Sequence, residues 1–167
     1  MVSVNMNQKG FTLIELIIYI AIFAVISLVL TDFFITLAKV RAQTEARGEV
    51  RQNLSRTMER LSQVIHSASG VNSASGNTLS LAMTDSAKNP TIFTVTENAL
   101  TIQEGASPAT ALTSDKVIIG KLSFASINNP SPAKKSVQLS VTVDYDAKER
   151  PDYIYSSSAT TTAVLRN

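Results

Sequence analysis

One long apolar run near the N-terminus constrains this chain more than any other feature. It extends over about 20 residues from Phe11 to Leu30 and is interrupted only by Thr12, Glu15 and Ser27. At about 1.5 Å per residue, a helix of this length reaches about 30 Å, which is enough to cross the hydrocarbon core of a bilayer. We therefore predict a membrane-embedded helix in this part of the chain.

Two ordinary explanations of such a run are a secretory signal peptide and a plain membrane anchor. A signal peptide has an apolar stretch of about 7–15 residues followed by a cleavage site of small residues. This run is longer, no convincing A-x-A site follows it, and the helical pattern continues to Val40. A plain anchor leaves Glu15 unexplained, because a carboxylate at mid-bilayer costs about 2.5–3.5 kcal/mol.

A cut just before the apolar run would explain why the run contains the Glu15 carboxylate. A cut between Gly10 and Phe11 would create an α-ammonium group on Phe11, one helical turn before Glu15 and opposite to it in charge. The two charges can neutralise each other within one chain, or between neighbouring chains offset along the axis, which offsets the desolvation of each. Gly10 has no side chain to shield that bond from a peptidase, and Lys9 would hold the leader at the cytoplasmic face.

The string from Gln8 to Glu15, Gln-Lys-Gly-Phe-Thr-Leu-Ile-Glu, resembles the processing and methylation motif of type IV pilins, type II secretion pseudopilins and competence pseudopilins. In that family the prepilin peptidase, a membrane aspartyl protease, cuts after the Gly and methylates the new N-terminus. By this resemblance Lys9 is the leader charge, and Gly10 and Phe11 form the processed bond. The resemblance further implies that Phe11 is N-methylated and that Glu15 serves assembly.

The resemblance also implies where the protein resides. It would be a single-pass protein of the cytoplasmic (inner) membrane, with its head outside the cytoplasm, and would later join a pilus or pseudopilus. The basic residues argue for the reverse orientation, because Lys39, Arg41 and Arg47 follow the span and only Lys9 lies close before it. We favour the family's orientation because the first charge after the span is Asp32 and large domains can translocate regardless of charge.

Beyond Asp32 the sequence becomes amphipathic instead of ending its helical pattern. Apolar residues recur at spacings of three and four among many charged residues, which indicates a helix that buries one stripe. Ser67 to Gly70 supplies a plausible end of this helix. The predicted stripe comprises Val40, Val50, Leu54, Met58, Leu61, Val64 and Ile65.

The chain has no proline before Pro90. Many major pilins carry a helix-breaking proline about twenty residues into the mature chain, a position that reads Leu30-Thr31-Asp32 here. This departure favours a minor pilin or pseudopilin. The last residues, from Thr160 to Asn167, also resemble the ending of J-type minor pseudopilins and related minor pilins.

After Gly70 the apolar period changes from helical to alternating, which predicts strands. Glu97-Asn98 reads as a hairpin turn, and Pro-containing stretches at 106–114 and 128–135 read as loops. Five or so antiparallel strands with one apolar face need a cover, and the amphipathic part of the helix supplies it. The predicted strands are Thr78–Met83, Ile92–Thr96, Ala99–Gln103, Val117–Ile127 and Val137–Tyr145.

These elements predict an α+β, type IV pilin-like fold, in which a long N-terminal helix packs on an antiparallel β-sheet head. Residues 1–10 would be the cleaved leader and residues 11–69 the helix. Within the helix, residues 11–30 would form the transmembrane and assembly segment and residues 31–69 the amphipathic half. Residues 70–167 would form the β-rich head.

The sequence offers no support for catalysis or for a cofactor. The chain has no cysteine, so disulfides and thiolate metal sites are excluded, and no G-x-S-x-G elbow occurs. Its single histidine, His66, lies near the end of the predicted helix without potential co-ligands, where a capping or partly exposed role is expected. A net charge of +2 without a basic stripe gives nucleic-acid binding no positive support and leaves it undecided.

Four acidic residues accompany the end of the last predicted strand, at Asp144, Asp146, Glu149 and Asp152. Calcium prefers oxygen ligands, and some pseudopilins bind calcium through acidic loops. Basic residues interrupt this cluster and its spacing follows no defined loop. We therefore favour a solvated turn, with a calcium site as the open alternative.

The sequence thus indicates a structural, non-enzymatic and minor subunit of a type IV pilus or of a type II secretion or competence pseudopilus. Its expected partners are the prepilin peptidase, other pilins or pseudopilins, the inner-membrane assembly platform and, before assembly, the membrane. The alternative is a minor subunit at the filament tip whose head binds DNA, a surface or a secreted substrate. Secretion, DNA uptake, motility and adhesion all remain open.

Overall fold

The computed structural model describes residues 10–128 and 135–165. It contains one long helix, eight strands and two short 3-10 helices, Ser86–Lys88 and Pro151–Tyr153. The long elements are α1 (Leu13–Ser67), β1 (Gly70–Ser75), β2 (Thr78–Ala82), β3 (Thr91–Thr96), β4 (Ala99–Glu104), β5 (Thr110–Ala111), β6 (Val117–Asn128), β7 (Lys135–Tyr145) and β8 (Ser156–Val164).

The chain divides into two compact units, residues 1–41 and 42–167. The helical part of the first unit has no buried side chain, whereas α1 buries nine residues from Ala42 onward. Val40, which the sequence places in the buried stripe, is 53% exposed, so that assignment was wrong. The other six predicted members of the stripe are buried or packed against the core.

The helix ends at Ser67, as the small residues that follow it suggest. The Ala68 N–H donates to the Ile65 carbonyl at 3.2 Å, which satisfies one of the last free carbonyls of the helix. The Ser69 N–H then donates to the Ala82 carbonyl at 2.9 Å, and this bond ties the end of the helix to the end of β2.

The first five strands form one antiparallel sheet in sequential order, β1-β2-β3-β4-β5. Glu97 and Asn98 connect β3 to β4 with φ angles of 51° and 64°. Two consecutive positive φ angles characterise the type I′ turn, whose twist matches that of a hairpin. The predicted hairpin at Glu97-Asn98 is confirmed.

The last three strands form a second antiparallel sheet in the order β6-β7-β8. The central strand β7 alternates as predicted, with Val137, Leu139, Val141 and Val143 fully buried. An irregularity in β6 falls at Gly120, where a Cβ atom would overlap the carboxylate of Asp144 on β7. A side chain at position 120 would therefore require the Asp144 carboxylate to move away.

One apolar core joins the second half of α1 to both sheets. The two sheets are also connected by backbone hydrogen bonds, from Ile119 N–H to the Asn98 carbonyl at 2.8 Å and from Phe124 N–H to the Gly76 carbonyl at 2.9 Å. Phe93 is the largest fully buried side chain. The helix thus covers the sheets of the head, as its amphipathic pattern predicted.

The α+β, pilin-like fold class is confirmed, but the strand inventory was incomplete. Described residues form eight strands in two sheets, where the sequence indicated five or so. Ser, Thr and Ala make up half of the missed strand β1 and nearly all of the missed strand β8, so both lack the apolar and polar contrast that reveals alternation. The third, β5, is two residues long and lies inside the predicted loop 106–114. Most of the loop predicted at 128–135 lies outside the described residues.

Candidate assembly and processing site

The start of α1 is organised by Thr12. The helix begins at the next residue, and the Leu16 N–H donates to the Thr12 carbonyl at 3.2 Å, which is the first helical hydrogen bond. The Thr12 hydroxyl oxygen accepts a hydrogen bond from the Glu15 N–H at 3.3 Å. A side chain in this position satisfies one of the four free N–H groups that open a helix.

Glu15 lies in the first turn of α1 and is partly buried. A negative charge is favourable there because the helix macrodipole and the free N–H groups make this end positive. The Oε1 atom of Glu15 accepts a hydrogen bond from the Tyr19 hydroxyl at 3.1 Å. The carboxylate is thus held from one turn further along the helix.

Tyr19 also contacts Phe11. Their rings meet edge to face, with centroids 6.2 Å apart and planes at 76°. Phe11, Glu15 and Tyr19 are spaced by four residues, which places them along one side of the helix start. We call these three residues the Phe11–Glu15–Tyr19 face.

Sequence reasoning singled out Lys9, Gly10, Phe11 and Glu15 for this site. Gly10 and Phe11 precede the helix and are exposed, and a Cβ atom on Gly10 would meet no heavy atom within 4 Å. Lys9 lies outside the described residues. The cleavage, methylation and assembly roles of these residues stay predictions.

Thr12 and Tyr19 were not singled out from the sequence. The signal for Thr12 was present, because Thr-x-x-Glu before an apolar run is the pattern of a capping box. The spacing of four between Glu15 and Tyr19 permits a contact, but spacing alone does not show that the hydroxyl reaches the carboxylate.

The rest of the first unit exposes an almost continuous apolar surface. One helix among the described residues is long and apolar enough to cross a membrane, with a mean hydropathy of 2.9 in its most apolar 18-residue window and none of that window buried. The large exposed apolar side chains of this segment are Phe11, Leu13, Ile14, Leu16, Ile17, Ile18, Tyr19, Ile20, Ile22, Phe23, Val25, Ile26, Leu28, Val29, Leu30, Phe33, Phe34, Ile35 and Val40.

Charged contacts in the second unit tie the helix to the head. The Lys116 Nζ atom lies 3.0 Å from Glu49 Oε1 and 3.8 Å from Glu45 Oε1, and the hydrogen bond to Glu49 raises the pKa of Lys116. Arg60 pairs with Glu104 at 3.2 Å. Because these side chains are partly exposed, the pairs orient the helix more than they stabilise it.

The head presents shallow grooves but no recognisable catalytic arrangement in the part of the chain that the structure covers. His66 is exposed in the last turn of α1. Residues 10–128 and 135–165 hold no group of three or more His, Asp or Glu side chains that could bind a metal ion. Within the predicted acidic cluster, Asp146 accepts from the Lys148 N–H at 3.4 Å, which is a contact within the turn itself.

A protein-family model described as the prokaryotic N-terminal methylation motif matches residues 5–31. The match includes all four predicted site residues and confirms the motif predicted from the sequence. No curated protein and no solved structure matches the chain. The head, residues 70–167, lies outside the matched region.

Proposed function

Because the N-terminal methylation motif and the α+β fold support a type IV pilin or pseudopilin, we propose that this chain is a structural, minor subunit of a type IV pilus or of a type II secretion or competence pseudopilus. The motif implies processing by the prepilin peptidase and assembly with other pilins. In this proposal the subunit waits in the inner membrane with its head outside the cytoplasm, and it joins the filament after processing.

The observation that carries this proposal is the exposed apolar surface of α1 with a carboxylate at its start. No side chain of the helix before Ala42 is buried, although this is the most apolar part of the chain. Such a surface needs a cover, and lipid can supply it first. Neighbouring subunits can replace lipid in a filament, where contacts between helices come from packing and from interhelical polar groups.

Glu15 gives this segment a feature that a plain anchor does not need. We infer that the bond between Gly10 and Phe11 is cut, with Lys9 on the leader side, and that Phe11 is then N-methylated. The Phe11 ammonium group and the Glu15 carboxylate would be opposite charges in a medium of low dielectric constant. Pairing between neighbouring subunits would offset the desolvation of both groups and fix the axial offset of the subunits.

The minor role is supported by the continuity of α1. The helix runs without a proline from Leu13 to Ser67, including the region around Asp32 where many major pilins carry one. An unbroken helix presents its side chains in one regular pattern. A subunit with a different helix geometry fits occasional positions in a filament better than it fits every position of the shaft.

The test compares two carboxylate replacements in α1. Glu15→Val should insert into the membrane and lose residues 1–10 normally, but its incorporation into filaments should fall by more than about tenfold, because breaking a desolvated charge pair is costly. Asp32→Asn, which removes the other carboxylate of the apolar half, is the matched control and should incorporate normally. Carbonate extraction reports insertion, mass spectrometry reports cleavage and methylation, and immunoblots of sheared filaments report incorporation.

Two results would contradict the proposal. Normal incorporation of Glu15→Val would remove the role of Glu15 in assembly. A chain that retains residues 1–10 when the prepilin peptidase is present would remove the processing step.

A further inference from the structure

Tyr19 contacts both residues on which the proposed assembly step depends. Its hydroxyl donates to Glu15 Oε1 at 3.1 Å, and its ring meets the ring of Phe11 edge to face. We propose that Tyr19 is a positioning residue, whose hydroxyl holds the Glu15 carboxylate ready for the ammonium group of a neighbouring subunit. This inference rests on the function proposed above and extends it to a residue outside the predicted site.

The hydrogen bond satisfies polar groups of both Tyr19 and Glu15. In an apolar surrounding a phenol hydroxyl needs an acceptor, and a carboxylate needs donors. Apart from Glu15 and Tyr19, the polar side chains between Phe11 and Leu30 are Thr12 and Ser27. The Thr12 hydroxyl oxygen accepts from the Glu15 N–H, whereas the Tyr19 hydroxyl donates to the Glu15 carboxylate itself.

A neutral donor suits a carboxylate that must still attract a cation. A lysine or arginine in place of Tyr19 would cancel the charge of Glu15 within its own chain. The tyrosine hydroxyl leaves the charge of −1 in place and occupies one of about four acceptor positions of the carboxylate. Glu15 therefore keeps both the charge and the acceptor capacity that an incoming ammonium group requires.

The bond also reduces the freedom that Glu15 must lose on assembly. A free glutamate side chain samples several rotamers, and fixing them on binding opposes association. The Tyr19 ring is itself held by its edge-to-face contact with Phe11, so the hydroxyl is presented from a restricted position. The Phe11–Glu15–Tyr19 face is thus ordered before a neighbour arrives.

The experiment separates the hydroxyl of Tyr19 from its ring. Tyr19→Phe removes one oxygen atom and keeps the ring that contacts Phe11. Thr31→Val is the matched control, because it removes a hydroxyl of the same segment that bonds the Ser27 carbonyl at 2.8 Å and not Glu15. Each full-length variant is produced together with the wild-type chain, and mass spectrometry of the distinguishing peptides gives the variant-to-wild-type ratio in membranes and in sheared filaments.

We expect the filament ratio of Tyr19→Phe to fall about three- to tenfold below its membrane ratio, the range expected for the loss of one hydrogen bond of ordinary net strength. Thr31→Val should show equal ratios. A Tyr19→Phe ratio that is the same in filaments and membranes would overturn the inference. If wild-type chains were cleaved and incorporated in that experiment, the role of Tyr19 would be overturned but the proposed function would stand. If wild-type chains were absent from filaments, the role of Tyr19 and the proposed function would both be overturned.

A second readout detects positioning directly. In the membrane-bound full chain, the infrared carboxylate band that disappears in Glu15→Gln belongs to Glu15. This band should shift in Tyr19→Phe, because its carboxylate has lost a donor, and should stay in place in Thr31→Val. An unshifted band in Tyr19→Phe would show that the hydroxyl does not hold the carboxylate and would overturn the inference.

Discussion

The two parts of α1 differ in how they use apolar residues. Before Ala42 the helix is almost uniformly apolar and buries none of its side chains, whereas from Ala42 to Ser67 it carries many charges and buries nine residues. The more apolar part therefore contributes nothing to the core of its own chain. The most apolar part of α1 is thus the part that its own chain leaves exposed.

This difference indicates that substitutions in the two parts should have separate consequences. Residues of the second part stabilise the head, since they share a core with both sheets. Residues of the first part face lipid or other subunits in the proposed function. A change in the first part should leave the free energy of unfolding of the head unaltered, and any effect that it has should be on insertion or assembly.

The largest expected effect is on the free energy of unfolding, when alanine replaces a buried and an exposed phenylalanine. Phe93 is 0% exposed and Phe23 is 72% exposed. Phe93→Ala should lower the free energy of unfolding of the head by about 3–5 kcal/mol, because it leaves a cavity in a packed core. Phe23→Ala should leave it unchanged.

Urea unfolding of the full-length protein in mild detergent measures this contrast. Near-ultraviolet circular dichroism is a suitable signal, because the chain has no tryptophan and Tyr145, Tyr153 and Tyr155, three of its four tyrosines, belong to the head. Phe93 lies on β3 in the core that the second part of α1 shares, so equal destabilisation by both substitutions would show that the first part of α1 also stabilises the head.

A smaller change, an increase in the free energy of unfolding, is expected from a substitution at Thr57. This side chain is 1% exposed, and among the described residues its hydroxyl has no hydrogen-bond partner. Thr57→Val keeps the shape and removes the unsatisfied group, so it should raise the free energy of unfolding by about 1 kcal/mol. Thr57→Ser keeps the hydroxyl and loses a methyl group, so it should not stabilise the head. The same urea titration checks both, and a destabilised Thr57→Val would contradict the assignment.

The smallest expected effect is a loss of stability of the head at alkaline pH. The Glu49 carboxylate raises the pKa of Lys116 above its ordinary value of 10.5, and burial raises the pKa of Tyr145 above 10.0. A raised pKa in the folded state gives stability that is present below the ordinary value and is lost as the pH rises through the folded value. The head should therefore become less stable as the pH rises beyond about 10.

Urea midpoints measured on either side of this range test the contribution of Lys116. Lys116→Met should lose part of the alkaline dependence, and added salt should weaken the difference because the pair is exposed. Lys121→Met, at an exposed lysine of β6, is the control and should keep the dependence. Identical pH profiles for both variants would show that the pair does not couple the helix to the head.

Much of the fold could be predicted because its strongest elements are locally encoded. Strand β7 has an alternating apolar and polar pattern, and Asn98 is a residue type that tolerates the positive φ of the Glu97-Asn98 turn. Asn53 was not foreseen, because a buried polar residue is explained only by its distant partner. Its side chain donates to Ser114 Oγ at 3.1 Å and accepts from the Ser114 N–H at 2.9 Å, 61 residues away in the chain.

The candidate site was predictable to the extent that it follows a motif. Gly10, Phe11 and Glu15 lie in a short string with a recognisable pattern, and a capping-box search would have added Thr12. Tyr19 belongs to no motif. Its role depends on where the hydroxyl and the ring point, and that information is conformational.

The position of the Thr12 cap has a consequence for the order of events in maturation. The cap and the first helical hydrogen bond, from Leu16 to Thr12, both lie on the C-terminal side of the proposed cut between Gly10 and Phe11. A peptidase can therefore bind an exposed, non-helical stretch of backbone and release the leader without unwinding any turn of the helix. In the proposed maturation the subunit would inherit a complete helix start, so processing would change the charge at this end while leaving the first turn of α1 intact.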